Sequence, residues 1–269
     1  MPSHDYKHTF VGAVNFSISK FASLESTNLF LKTHLSQYPD FTVIITENQF
    51  GGRGRFDRKW QSKAGDSLTF SIKIPLKDIP GQNWSNITQI MALSASLLLE
   101  EFNLQPRIRW PNDLLINGTK ICGILAEALT TDTSNWMVLG VGINVNDKPD
   151  NLKDLDRPAT SLFIETGRTF QIDAVLQRLL YHFGRCFNQF IESGFNGLVS
   201  MISQRLYKPE ETVQIIQGNE SFEGRISGIT EAGTVLIETN NGIIEVISGE
   251  ITSRKDTIRR DQILSSPVF

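Results

Sequence analysis

The chain has 269 residues, 40% hydrophobic and 20% charged, with a formal net charge of -3. That is ordinary globular composition with room for one large domain and a small one. The acidic balance argues against a general nucleic-acid coat, and no apolar run has the length of a membrane helix. The N-terminal MPSHDYKHTF has no apolar signal core, so cytoplasmic residence is expected. Cys122 and Cys186, far apart and without metal-ligand spacing, read as reduced structural cysteines.

Taken in order, Phe10–Phe21 alternates loosely and predicts an opening strand. In LESTNLFLKTHL, Ser26 or Thr27 can cap a helix whose Leu31 and Leu35 share a face, ended by Pro39 and Asp40. Capping accounts for one polar side chain among Ser26, Thr27 and Asn28. The β-branched run Thr42–Thr46 predicts a buried strand. It feeds ENQFGGRGRFDRKW, where Gly51, Gly52 and Gly54 let the backbone approach a ligand. Arg53, Arg55 and Arg58 offer guanidinium donors to phosphate or carboxylate oxygens, and Trp60 closes the stretch as an apolar anchor. On these residues alone it is either an anion site or a solvated basic loop.

Ser67–Ile74 alternates, with Leu68, Phe70, Ile72 and Ile74 on one face. Asn86 is the expected cap of a helix running to about Phe102 on an apolar stripe of Ile87, Ile90, Met91, Leu97 and Leu98. Arg107–Trp110 is extended, Pro111 interrupts it, and Leu114–Ile116 follows. Asn117-Gly118 signals a two-residue hairpin into Lys120–Leu129, with Trp136–Val145 beside it, so an antiparallel portion of sheet is expected. Helices over Asp173–Ile191 and Gly197–Leu206 cover it. Beyond Lys208-Pro209, Val213–Ile216, Phe222–Ile226, Val235–Glu238 and Ile243–Val246 alternate with turns at Gly218-Asn219, Ala232-Gly233 and Asn241-Gly242. These short runs predict a small SH3-like β-barrel. The expected organisation is α+β: a mixed, largely antiparallel sheet with packed helices over residues 1–207, then a small β domain over 208–269.

Two residues stay open at this level. Asp113 is a turn residue or a Mg²⁺ ligand, since such sites take one or two carboxylates plus substrate phosphates. Lys120 is a solvated strand-edge charge or a functional cation. Because Lys120 lies just past the Asn117-Gly118 turn, Lys120→Ala is expected to cost little stability.

In combination the stretches are more specific. Ser26-Thr27-Asn28, Gln49 with GRGR at Gly52–Arg55 and Trp60, WPND at Trp110–Asp113, Lys120 with Gly123, and GVGINVN at Gly140–Asn146 follow one another in an order that resembles the biotin–protein ligases. The resemblance covers about Phe21 to Asn146, and that family also carries a small C-terminal β module. It implies a class II synthetase-like ligase core and ATP-dependent attachment of biotin to a lysine of a biotin carboxyl carrier protein domain of acetyl-CoA carboxylase or a related carboxylase, through biotinyl-5′-AMP. ATP and Mg²⁺ are the implied cofactors. No DNA or membrane partner is implied, and a homodimer is admitted.

Residue by residue, Ser26, Thr27, Asn28 and Gln49 match biotin contacts. Gly52, Arg53, Gly54 and Arg55 match the loop that folds over biotin and the activated intermediate, with Arg53 and Arg55 facing carboxylate and phosphate. Trp60 matches the anchor of that loop's far end, and Gly123 lies with Lys120 on the biotin side. Lys120 matches the lysine that meets the reacting carboxylate and α-phosphate, so Lys120, Arg53 and Arg55 are the implied catalytic residues. Arg55, Arg58, Asn112, Lys120 and Asn144 match the ATP side, and Asp113 the metal. The chain departs from the family at Phe56-Asp57, where a second small glycine is frequent, and Asp57 is expected to face solvent or pair with Arg58. Arg109 stands where lysine is frequent.

A lipoate or octanoate ligase or transferase of the same fold is the nearest rival, disfavoured by WPND with GRGR. A biotin-responsive or nucleic-acid-binding regulator is the rival of another class. About two dozen residues precede Ser26, too few for a helix-turn-helix domain, so a monofunctional ligase is expected.

Overall fold

The computed structural model describes residues 7–11, 14–56, 58–131, 134–153, 155, 157–217, 220–247 and 249–253. β1 (Lys7–Val11) and β2 (Val14–Leu24) form an antiparallel pair. Helix α1 (Thr27–Thr33) then carries the chain over to β3 (Thr42–Gln49), which lies parallel to β2. β4 (Ser67–Pro75) returns antiparallel, followed by α2 (Asn86–Glu100). Next come β5 (Arg107–Arg109), β6 (Asp113–Ile116), β7 (Thr119–Thr130) and β8 (Asn135–Asn144). The resulting 8-stranded sheet runs β1-β2-β3-β4-β8-β7-β6-β5. Its β2–β3 pairing is parallel and its other pairings are antiparallel, so it is mixed and largely antiparallel, as expected. The turn between β6 and β7 is Asn117-Gly118, both at positive φ (49° and 81°), as a tight right-twisted hairpin demands.

Short helices α3 (Pro149–Leu152) and α4 (Leu162–Thr166) lead to α5 (Ile172–Ser193) and α6 (Asn196–Arg205). α5 buries Val175, Leu176, Leu179, Leu180, Phe183 and Phe187, with an apolar stripe at helical spacing, against the sheet and α2. Leu68, Phe70, Ile72 and Ile74 of β4 are fully buried in the same core. The opposite face of β4, Ser67, Thr69, Ser71 and Lys73, is also buried. Alternation therefore does not mark a solvated face here. α1 covers it, packing Leu31 with Phe21, Ile44 and Val138, while Lys73 Nζ donates to Leu35 O (3.0 Å) and Tyr38 O (2.8 Å).

β9 (Val213–Gln217), β10 (Glu220–Ile229), β11 (Val235–Thr239), β12 (Gly242–Val246) and β13 (Glu250–Ser253) make a 5-stranded antiparallel sheet ordered β12-β11-β10-β9-β13. The last strand has no counterpart among the elements expected from the sequence. The expected Gly218-Asn219 turn lies outside the described residues. Val213, Ile215, Val235, Ile237 and Val246 join the core cluster of the large sheet, so apolar packing is continuous between the two.

Asn86 corrects one expectation. The cap position belongs to Ser85, without a side-chain capping bond, and Asn86 is the first helical residue. Fully buried, its Nδ2 donates to Ala232 O (2.9 Å), beside Gln89 Nε2 to Gly233 O (2.9 Å). A polar residue at a helix start is used to pin the β10–β11 turn, where Gly233 has φ +86°. Asn86→Ala strands a buried carbonyl and should cost about 1–3 kcal/mol. A urea midpoint that moves no more than for an exposed asparagine would contradict this.

Candidate functional site

One cavity of about 640 Å³ opens where α1, the segment between β3 and β4, the β6–β7 hairpin and β8 meet. That volume suits a small molecule. Its two ends differ in chemistry.

The inner end is polar and uncharged. Ser26 caps α1, its hydroxyl accepting from Leu29 N (3.3 Å), and so holds the helix start against the sheet. Gln49 Oε1 accepts from Thr27 N (2.9 Å) and lies 3.2 Å from Thr27 Oγ1. Ser71 Oγ sits 2.7 Å from Thr27 Oγ1 and 2.5 Å from Asn28 Oδ1. Thr27, Asn28 and Gln49 thus converge, as their motif order implies. Ser71 ties two of them together, and no sequence signal beyond its place in an alternating strand points to it.

The Gly/Arg stretch is a small hairpin. Trp60 N donates to Gly52 O (3.0 Å), Arg53 pairs with Lys59, and Gly54 N donates to Arg58 O (2.7 Å). A Cβ on Gly52 would sit 2.5 Å from Trp60 O, so no larger residue closes this turn. Trp60 lies on bare backbone: a Cβ on Gly142 would come 2.3 Å from its ring, and one on Gly123 3.2 Å. Phe56 projects at the tip with φ +56°, the Arg55 guanidinium 5.0 Å from its ring. Asp57, expected to face solvent or pair with Arg58, is outside the described residues. Arg53 is drawn to the rim, 3.8 Å from Glu25 Oε1 and mostly exposed.

The other end is cationic. Arg53, Arg55, Arg58, Lys59, Arg109, Lys120 and Arg157 line the cavity, and among the described residues Asp113 is its one carboxylate. Asp113 is buried between Lys120 Nζ (2.7 Å to Oδ1) and Arg109 NH2 (2.7 Å to Oδ2). Burial pushes its carboxyl up, but the charges of Lys120 and Arg109 and their hydrogen bonds outweigh that and hold it well below the usual carboxylate range. Lys120 is also fixed by its backbone, bridging to residues 158–160. The expectation that Lys120→Ala costs little stability is therefore corrected: the lysine follows a turn, yet its ammonium pairs with a buried anion. Asn112 Nδ2 donates to Ile124 O (2.8 Å) and its Oδ1 accepts from Arg55 (3.4 Å); Asn144 Nδ2 donates to Thr160 O (2.9 Å).

The second sheet reaches this end. Arg55 NH2 donates to Gly249 O (3.2 Å), and Ile251 of β13 lines the cavity. Neither contact is visible in the sequence, because both depend on how the two sheets meet. As for a metal, both oxygens of Asp113, the one carboxylate lining the cavity among the described residues, already face the cations Lys120 and Arg109, so the side chains present do not fit a magnesium site.

Residues 19–144 match the biotin/lipoate A/B protein ligase family model and residues 210–253 the biotin protein ligase C-terminal domain model. The chain is similar to the bifunctional ligase/repressor BirA of Bacillus subtilis, 34% identical over 219 residues, covering 79% of this chain and 66% of that protein. It thus spans just under two thirds of that relative's length. It is similar to a biotin–[acetyl-CoA-carboxylase] ligase of Mycobacterium tuberculosis, 35% identical over 46% of this chain and 45% of the other. Among solved structures it is similar to a biotin protein ligase from Aquifex aeolicus in complex with biotin and ATP, with TM-score 0.77, 30% identity, and coverage of 87% of this chain and 97% of that one.

Asp113→Asn removes the anion between two cations and should cost about 3 kcal/mol at neutral pH. Because the folded carboxyl titrates below the unfolded value of about 3.9, its stabilisation is present above that pH and is lost as pH falls further. Urea midpoints measured from pH 6 down to 2 should therefore fall more steeply for the wild type than for Asp113→Asn. Parallel curves would refute the assignment.

Proposed function

The chain belongs to the biotin/lipoate A/B protein ligase family, and from that premise we propose that it joins biotin to a carrier-protein lysine at the expense of ATP. The observation that carries the proposal is the two-ended cavity. An uncharged polar pocket built from Thr27, Asn28 and Gln49 adjoins a cationic one, on a chain whose net charge is -3. Activating biotin brings its carboxylate against a triphosphate, and fixed cations offset that repulsion. The carboxylate oxygen bonds to the α-phosphorus, pyrophosphate leaves, and biotinyl-5′-AMP is held.

Lys120 sits between the pocket ends, its ammonium 5.7 Å from the Trp60 ring and paired with Asp113. Held there, it meets the reacting carboxylate and the α-phosphate without moving. Arg55 and Arg58 face the phosphates, with Asn112 and Asn144 on the nucleotide side. The Gly52–Trp60 hairpin covers the mixed anhydride and limits its hydrolysis. In the second step an acceptor lysine amine attacks the acyl carbon and AMP leaves. The nucleophile comes from the carrier, consistent with a cavity that offers no Ser, His and Asp constellation among the described residues. A biotin carboxyl carrier domain of acetyl-CoA carboxylase or a related carboxylase is the proposed partner. Free, buried Cys122 and Cys186 agree with a reducing, cytoplasmic setting.

Pyrophosphate release should depend on biotin and not on lipoate or octanoate. Equal turnover with lipoate would replace this reading by the rival one. Lys120→Ala should lower the release rate at saturating substrates by about 10²–10³ while also lowering the melting temperature through the stranded Asp113. Turnover within about threefold of wild type, under ~1 kcal/mol of barrier, would remove Lys120 from the mechanism.

A further inference from the structure

Between α3 and α4 the chain runs as a strap along β7. Lys120 N donates to Pro158 O (3.0 Å), Thr160 N donates to Lys120 O (2.8 Å), and Ala159 bridges Lys120 in parallel. Leu155, Arg157 and Ala159 line the cavity, while Pro158 and Thr160 on alternate positions do not. The strap therefore turns one face to the cavity, as an extended segment does. Arg157 brings a positive charge to that face, and no sequence motif singles it out. We propose that Arg157 binds the β- and γ-phosphates of ATP and the pyrophosphate they become. The inference rests on the biotin reading above.

Direction along β7 places the arginine. The polar end of the cavity reaches β7 at Leu125, whose carbonyl accepts from Asn28 Nδ2 (3.3 Å). Gly123 follows under the Trp60 ring, and then Lys120 at the junction of the two ends. Because the strap runs parallel to β7 and Ala159 stands beside Lys120, Arg157 lies two residues further from the polar end, about 6–7 Å. In the reaction proposed above Lys120 meets the α-phosphate, so what lies beyond it is the nucleoside or the β- and γ-phosphates. A guanidinium fork matches phosphate oxygens in pairs, which favours the phosphates. The strap is also held firmly. Asn144 Nδ2 on β8 donates to Thr160 O (2.9 Å), Ser161 Oγ donates to Asp147 O (2.6 Å), and Pro158 confines Arg157 to extended backbone.

The distribution of charge gives this cation a task. Asp113 offsets one of Lys120 and Arg109, Glu25 draws Arg53 to the rim, and Arg55 is bonded to Asn112 and to Gly249 O. As the biotin carboxylate oxygen bonds to the α-phosphorus, the bond from that phosphorus to the bridging oxygen breaks. Its electron pair leaves on pyrophosphate. Negative charge thus builds on the leaving group, where a fixed cation stabilises the transition state more than it does bound ATP. Once pyrophosphate has gone, biotinyl-5′-AMP has nothing left for Arg157 to hold.

The test compares wild type, Arg157→Ala and Arg157→Lys in the full chain. Formation of biotinyl-5′-AMP from ATP and biotin gives kcat and KM, and added pyrophosphate gives product inhibition. Calorimetry gives the affinity for preformed biotinyl-5′-AMP, which carries neither a β- nor a γ-phosphate. Arg157→Ala should lower kcat/KM for ATP by about 10² and weaken inhibition by pyrophosphate about tenfold. KM for biotin and affinity for biotinyl-5′-AMP should stay within about threefold, and the melting temperature close to wild type. Arg157→Lys keeps the charge and loses the fork, so it should recover part of both losses. Unchanged kinetics toward ATP would overturn the inference. An equal loss of affinity for biotinyl-5′-AMP would also overturn it, by putting Arg157 on the nucleoside monophosphate or, with a lowered melting temperature, in a purely structural role. Each of these outcomes leaves the biotin reading intact. A wild-type chain that forms no biotinyl-5′-AMP would overturn that reading and the inference with it.

Discussion

Two missing side chains organise this molecule. Gly140 and Gly142, two apart on β8, lie on the same face of the large sheet. The Asn28 amide and the Trp60 indole occupy the space their Cβ atoms would need. A side chain at either would push the helix start or the loop anchor off the sheet, and the cavity would lose one of its ends. Leu139, Val141 and Ile143, on the alternate positions, bury into the opposite core. One strand therefore closes the core on one side and floors the cavity on the other.

Much of this is legible in the amino-acid sequence, and the reasons are local. The Asn117-Gly118 turn, the buried apolar run of β4 and the stripe of α5 each follow from backbone preference and periodicity over short stretches of chain. The candidate site is legible through motif order: Thr27, Asn28, Gln49, Trp60, Asn112, Asp113 and Lys120 do line one cavity. Register and partnership are not legible. Ser71 has the pattern of a solvated strand position because nothing in the sequence says that α1 covers that face. Glu127 meets Lys32 only because β7 passes the helix at that height. Asn86 has the position of a cap, whereas the residue it binds is 146 positions away.

Charge is distributed with the same economy. Among the described residues seven cations and a single carboxylate face the cavity, and the carboxylate is held between Lys120 and Arg109. Desolvating Asp113 alone would be unfavourable, and so would concentrating the cations without it. Together they give a preorganised positive site on an acidic protein. Arg55 extends that network to the second sheet through Gly249 O, so the small sheet bears on the geometry of the cationic end as well as on stability.

The anchoring of the second sheet has a consequence for biosynthesis. Asn86, Gln89 and Trp110 donate to carbonyls 146, 144 and 123 residues further along the chain. A nascent chain translated at roughly 5–20 residues per second waits several seconds to tens of seconds between making those donors and making their acceptors. During that interval the apolar surface that Val213, Val235 and Val246 will cover stays open, which is when a holdase chaperone has something to bind. Completion of the cavity wall is delayed in the same way, since Gly249 and Ile251 emerge from the ribosome after nearly everything else they touch.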